Sequence, residues 1–182
     1  MQFERTTIPS VILILPKVFS DGRGFFMETY RADEFAAYGI TAGFVQDNHS
    51  GSRQGILRGL HYQIRQVQGK LVRAVMGEVY DVAVDLRRSS PTFGHWAAAI
   101  LSSNNKKQMW IPPGFAHGFY VISDVAEVVY KTTDYYSSVH ERSLLWNDPS
   151  LGIEWPLLDN KPPLLSYKDT HACLLSEADL FD

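Results

Sequence analysis

Ten short runs rich in β-branched and aromatic residues follow one another along the 182-residue chain. They are VILIL (11–15), FFMETY (25–30), GFVQDN (43–48), GILRGLHYQ (55–63), KLVRAVM (70–76), EVYDVAVDL (78–86), HWAAAIL (95–101), KQMWIPP (107–113), HGFYVI (117–122) and AEVVYKTT (126–133). Clusters of Gly, Pro, Asn, Ser or Asp separate them, the pattern of an all-β sandwich or barrel. EVYDVAVDL alternates: Tyr80, Val82, Val84 and Leu86 share one face, and Asp81 and Asp85 take the other. Helical patterning is confined to RADEFAAY (31–38), which Gly39 should end, and to SEADLF (176–181). No repeat, low-complexity linker or charge block divides the chain, so residues 1–182 read as one domain.

Several function classes fall away on charge and cysteine usage. Twenty acidic against 17 basic residues give a net charge of -3, without the basic excess that nucleic-acid binding calls for. Cys173, the single cysteine, can form no internal disulfide and fits a reducing compartment. VILIL is far too short to cross a bilayer. A cytoplasmic protein with neither nucleic acid nor membrane as partner is the expectation.

GILRGLHYQ then poses a question. Ile56, Leu57, Leu60 and Tyr62 read as strand, yet Arg58 and His61 sit within the run. Buried polar side chains must be compensated, since leaving one unpaired costs several kcal/mol, roughly 2–7. Arg58 and His61 are three apart, which in a regular strand puts them on opposite faces. Gly59 between them can mark a bulge that brings both to one cavity. Gln46 and Asn48, two apart, share a face. Tyr130 and Tyr136 would share one if the extended chain ran on through TTDY. Lys70 opens a strand behind Gly69, and His117 follows a rigid Pro-Pro-Gly turn.

Taken singly, each of these residues has a plainer explanation. His61 could be a satisfied core or rim histidine, Lys70 an edge lysine, Tyr130 a packing residue with its hydroxyl in water, and Arg23 a turn residue. Taken together, Gln46, Asn48, Arg58, His61, Lys70, His117 and Tyr130 form a polar set spread over successive strands, as the lining of a barrel mouth would be. The six histidines, at 49, 61, 95, 117, 140 and 171, include no His-x-His pair. A three-histidine metal site from His49, His61 and His117 stays conceivable, but a site without metal is favoured.

The blocks FSDGRGFFME (19–28), FVQDNHS, GILRGLHYQ, QGKLVRAVMGEVYDVAVDLRRSSPTFGHW, IPPGFAHGF, VVYKTTDYY, DPSLGIEWPL and LSYKD run in order almost from end to end. Together they resemble the dTDP-4-dehydrorhamnose 3,5-epimerase family. The resemblance implies a cupin-like β-barrel, usually a homodimer, that uses no metal and no organic cofactor. Its substrate would be a dTDP-linked 4-keto-6-deoxyhexose. It also implies that His61 is the base with Asp169 beside it, that Tyr130 is the proton donor, and that Lys70 lies near the sugar O4. Arg58 would meet the diphosphate, Gln46, Asn48, His117 and Lys168 would line the site, and Tyr136 would lie toward the nucleotide. Phe19, Arg23 and Glu28 would fall on an N-terminal segment that reaches into the partner subunit's site. His49 in DNHS, and the lack of a proline in YYSSVHE, depart from the usual pattern. They leave room for a relative that epimerises one carbon only. A non-catalytic or metal-binding cupin is disfavoured, since a binding module has no need of His61, Asp169, Lys70 and Tyr130 together.

Overall fold

A computed structural model describes residues 1–182. Thirteen strands carry the chain: β1 Gln2–Arg5, β2 Ile12–Leu15, β3 Val18–Asp21, β4 Gly24–Met27, β5 Gln46–Arg53, β6 Leu57–Gln63, β7 Lys70–Met76, β8 Glu78–Asp85, β9 Trp96–Ser102, β10 Gln108–Ile111, β11 Phe115–Val121, β12 Val125–Thr132 and β13 Glu141–Ser143. Two short helices join them, α1 Ala32–Ala37 and α2 Tyr167–Thr170. All ten expected runs contain a strand. β1, β3 and β13 were not expected; each is only three or four residues long and lacks a marked run of β-branched residues.

The strands form a six-stranded sheet in the order β1-β2-β10-β7-β12-β5 and a five-stranded sheet in the order β13-β6-β11-β8-β9, with every pairing antiparallel. Alternation explains how they close on each other. In β7, Val72 and Ala74 join a core cluster with Val79 and Ala83 of β8, Phe119 and Val121 of β11, and Ala126 and Val128 of β12. That cluster fills the space between the sheets. Burying each such valine or phenylalanine contributes about 1.5–3 kcal/mol. The alternate residues pack outside. Leu60, Tyr62, Val82, Val84 and Ala116 lie under the C-terminal chain, which contributes Trp155, Leu180 and Phe181. Ile12, Ile14, Leu71 and Trp110 lie against Phe35 of α1 and Ile40. The result is the expected all-β barrel of two facing sheets.

Two local expectations need correction. SEADLF is not a helix: a 3-10 turn at Leu175–Glu177 gives way to extended chain at Ala178. Extension lets Phe181 bridge to Arg87 and its ring meet that of Tyr62 at 6.0 Å. The chain also does not stay extended through TTDY. β12 ends at Thr132, whose hydroxyl donates to the Asp134 carbonyl, so Tyr136 is delivered by a loop. α1 does end as expected, with Gly39 at φ +83°.

Asp85 closes the end of β8. Fully buried, it accepts from the Arg87 backbone and guanidinium, Ser90 Oγ and Thr92 Oγ1, which fixes the turn toward β9. Burial alone would raise its pKa, but the bonds from Arg87, Ser90 and Thr92 outweigh it and bring the carboxyl down from 3.8 to about 2. A depressed carboxylate stabilises the fold above its unfolded pKa and loses that contribution as pH falls through the folded value. Stability should therefore fall by about 2 kcal/mol between about pH 4 and pH 2 on account of this group. Asp85→Asn should cost about 3 kcal/mol at neutral pH, because Arg87 loses its partner, and should remove that share of the acid dependence. Urea titrations at stepped pH check this; an Asn variant with the wild-type acid dependence would contradict it.

Candidate active site

The apolar filling stops at one end of the barrel, and the same inward ladders continue there with polar residues. Lys70 stands one step beyond Val72 on β7, His117 beyond Phe119 on β11, and Tyr130 beyond Val128 on β12. With Gln46, Asn48 and Ser50 of β5, Arg58 and His61 of β6, Tyr136 of the loop after β12 and Glu141 of β13 they line one cavity.

Arg58 and His61 reach it together because β6 breaks its alternation. The register against β11 shifts between His117 and Phe119, and Gly59 has φ +121°. A Cβ on Gly59 would lie 2.5 Å from Gly118 Cα and 2.7 Å from the His117 carbonyl oxygen. Only two facing glycines allow this approach. Arg58 is then held by bonds from its Nε to Ser52 Oγ, 2.9 Å, and from its Nη2 to the Gly51 carbonyl, 3.3 Å.

His61 Nε2 meets Asp169 Oδ1 at 2.5 Å. Asp169 is buried and comes from α2, where Ser166 caps the helix: its Oγ accepts from the Asp169 backbone N–H and donates to Asp169 Oδ2 at 2.7 Å. Burial holds the His61 imidazole below its ordinary pKa, against the pull of Asp169. Burial raises the Asp169 pKa, but the bonds from His61 and Ser166 and the nearby Lys168 charge outweigh it and hold the carboxyl below its ordinary value. A neutral His61 with its proton on Nε2 leaves Nδ1 as a basic nitrogen.

Lys70 is 8% exposed and makes one long bond, 3.3 Å, to the His61 carbonyl. β7 lies between β10 and β12, so this lysine is at no sheet edge. Burial brings its pKa down to about 8. Across the cavity Tyr130 is held above its ordinary pKa by burial, moderated by the Arg58 charge. His117 is buried with Nε2 2.9 Å from Asp81 Oδ2. Gln46 donates to Asn48 Oδ1 and accepts from the Tyr136 backbone N–H, while Gln63 accepts from Ser137 N–H, pinning the loop that carries Tyr136. At the rim, Glu141 accepts from Lys168 Nζ at 2.8 Å and from the Tyr136 hydroxyl at 3.1 Å.

Ten of the expected site residues are thus gathered: Gln46, Asn48, Arg58, His61, Lys70, His117, Tyr130 and Tyr136 line the cavity, and Lys168 and Asp169 bond to its lining. Phe19, Arg23 and Glu28 are not. They lie on or just after the exposed β3-β4 hairpin, where Arg23 pairs only with Asp21, and none of the three lines this cavity. The three histidines of the conceivable metal site do not converge, each meeting its own carboxylate: His49 with Glu127, His61 with Asp169 and His117 with Asp81. Sequence reading passed over Ser50, Asp81 and Glu141. Asp81 shares its face of β8 with Val79, Ala83 and Asp85, and alternation alone does not mark that face as the interior.

A family profile described as dTDP-4-dehydrorhamnose 3,5-epimerase matches residues 5–177. The chain belongs to the dTDP-4-dehydrorhamnose 3,5-epimerase family. It is 60% identical to the enzyme of that name from Pseudomonas aeruginosa over 182 residues, covering 100% of this chain and 99% of the relative. It is 56% identical to that of Shigella flexneri over 183 residues, covering 100% and 99%. The crystal structure of dTDP-6-deoxy-D-glucose-3,5-epimerase from Legionella pneumophila, in complex with dTDP-4-keto-L-rhamnose, superposes with a TM-score of 0.94 at 52% identity, covering 98% of this chain and 94% of that one. The cupin-like barrel expected for the epimerase family is therefore the fold observed.

The glycine contact on which the epimerase cavity rests can be probed directly. Gly59→Ala should lower stability by at least about 2 kcal/mol, from a strained φ and backbone overlap, and should remove most activity by displacing Arg58 and His61. Thermal unfolding and turnover check it; an Ala variant with the wild-type melting temperature and rate would contradict the assignment.

Proposed function

We propose that this chain converts dTDP-4-dehydro-6-deoxy-D-glucose to dTDP-4-dehydro-L-rhamnose, with the inward polar residues of the barrel mouth as its machinery. The C4 ketone acidifies the C–H bonds at C3 and C5. His61 Nδ1 takes a proton from one of these carbons, the C–H electrons form a C=C bond, and the carbonyl oxygen becomes an enolate oxygen. Lys70, as ammonium, neutralises that oxygen. Tyr130 returns a proton to the opposite face of the carbon, and solvent restores both groups. Asp169 fixes the tautomer and steadies the imidazolium.

The observation that supports this reading is the placement of base and acid on facing walls. His61 stands on the five-stranded sheet and Tyr130 on the six-stranded sheet, with the cavity between them. Inversion needs two groups opposed in this way. A planar guanidinium at Arg58 suits a diphosphate, and the exposed Tyr136 ring suits stacking on the base. Gln46, Asn48, His117 and Lys168 supply further polar contacts. The C-terminal segment gives Asp169 to a histidine of the barrel, so residues 1–182 act as one domain.

The enzyme would work as a homodimer, with Phe19, Arg23 and Glu28 serving the partner's site. This is supported by the β3-β4 hairpin, which pairs only with itself and exposes Phe19, Phe25 and Phe26 by 50%, 56% and 66%. A fully active monomer in sedimentation analysis would contradict it. No helix is long and apolar enough to cross a membrane, and a free Cys173 suits the cytoplasm.

Incubating wild-type enzyme with dTDP-4-dehydro-6-deoxy-D-glucose in D2O tests the reaction. Deuterium should enter at both C3 and C5, with both centres inverted in the product. Incorporation at one carbon alone would replace this reading with single-centre epimerisation.

A further inference from the structure

Asp81 is a buried carboxylate of the barrel interior to which the reaction gives no task. It points inward from β8 between Val79 and Ala83 and is 0% exposed. Oδ2 meets His117 Nε2 at 2.9 Å, while Oδ1 is buried with no hydrogen-bond partner. Asp81 is not part of the cavity wall, so it can act on substrate only through a neighbour. Buried carboxylates are kept when a charge compensates them, and the other two carboxylates beside this cavity, one buried and one at the rim, are already committed. Asp169 serves His61 and Ser166, and Glu141 serves Lys168 and Tyr136. The buried cation without a carboxylate contact is Lys70, whose one bond is the long one to the His61 carbonyl. Lys70 and Asp81 project from facing sheets into one interior, and each is the other's uncommitted opposite charge.

We propose that Asp81 is a positioning residue for the epimerisation: its charge holds Lys70 as an ammonium when substrate dries the cavity, and its Oδ2 fixes the His117 ring that lines the same wall. The inference rests on the reading of Lys70 given above as the group that neutralises the enolate oxygen. Burial and coulombic balance agree with it. Desolvation drives the Lys70 pKa down to about 8, and Asp81 exerts the largest opposing pull, followed by Glu141, while Lys168 adds to the fall. The other ionisable groups that line the cavity with Lys70 are Arg58 and His61 on β6, His117 on β11, Tyr130 on β12 and Tyr136 beyond it, none of them a carboxylate. Without Asp81, the catalytically useful ammonium would be lost at lower pH.

The test is the pH profile of kcat/KM for the full-length Asp81→Asn variant with dTDP-4-dehydro-6-deoxy-D-glucose. Asn keeps the volume and can still accept from His117, so the change is the charge. In wild type the alkaline limb should fall near pH 8; in the variant it should move down by at least one pH unit. The acid limb set by His61 should stay in place. At pH 7.5 kcat should drop by about threefold or more with KM nearly unchanged, since the interaction is made with charge that develops in the transition state. In a Lys70→Met background Asp81→Asn should cost less than about twofold more, because its route of action is gone. An unmoved alkaline limb, or additive losses in the Lys70→Met background, would overturn the proposal and leave Asp81 a structural residue. Should the Asn variant fail to fold, Asp81→Glu retains the charge and is expected to keep the wild-type alkaline limb; a limb displaced by a full unit there would equally overturn it. Lys70→Met distinguishes the two levels: a rate unchanged from wild type removes the role given to Lys70 and this inference with it, whereas a collapsed rate with a normal Asp81→Asn profile removes this inference alone.

Discussion

The approach of β6 to β11 at Gly59 and Gly118 is the constraint from which the site follows. A regular β6 with His61 facing inward would turn Arg58 toward the outer layer, beside Leu60 and Tyr62, where a guanidinium has no partner. Because neither glycine carries a Cβ, the strands come close enough for the register to slip, and two residues three apart enter the same cavity. In the proposed mechanism the position of Arg58 relative to His61 sets how far a bound diphosphate lies from the base, so a backbone contact would fix a chemical distance. The rest of the cavity needs no such device, since Lys70, His117 and Tyr130 simply continue the inward rows of their strands.

Those rows show how the barrel divides its interior. Toward one end the inward positions are Val, Ala, Met, Ile and Phe, and burial of their surface holds the sheets together. Toward the other they are charged and amide groups that would be costly if left unpaired. The cost is met by pairing: His61 with Asp169, His117 with Asp81, Glu141 with Lys168 and Tyr136. A site so arranged is preorganised. Its polar groups are held by bonds within the protein, so under the proposed mechanism little reorganisation is required at the moment of reaction.

Much of this could be read from the chain, and the limits have physical causes. Strand positions followed from the alternation of EVYDVAVDL and the density of β-branched residues in the other runs. The slip at Gly59 was visible because an arginine and a histidine three apart flank a glycine. Short pieces escaped. β13 has three residues with no apolar pattern, yet it brings Glu141 to the rim. α2 has four, and its only local sign is Ser166 followed three residues later by Asp169, a capping pair. Asp81 was assigned to the face away from Val82, which is correct, but that face is the interior rather than solvent: β8 is covered on both sides, and alternation cannot reveal it. The hairpin with Phe19 and Arg23 is exposed and apart from the cavity in the single chain, and no pattern within one strand encodes what it packs against.

The claim that His61 and Tyr130 work from opposite faces is tested most directly by separating proton exchange from inversion in two variants. Each is incubated with substrate in D2O, and both deuterium content and configuration are read by NMR. His61→Asn has no basic nitrogen, so exchange and inversion should both fall by a factor of ~10² to 10⁴. Tyr130→Phe removes one oxygen and leaves the base and Lys70 in place, so deuterium should still enter with retained configuration while inverted product falls steeply. Equal loss of exchange and inversion in Tyr130→Phe, or normal inversion in it, would contradict the assignment of the two faces.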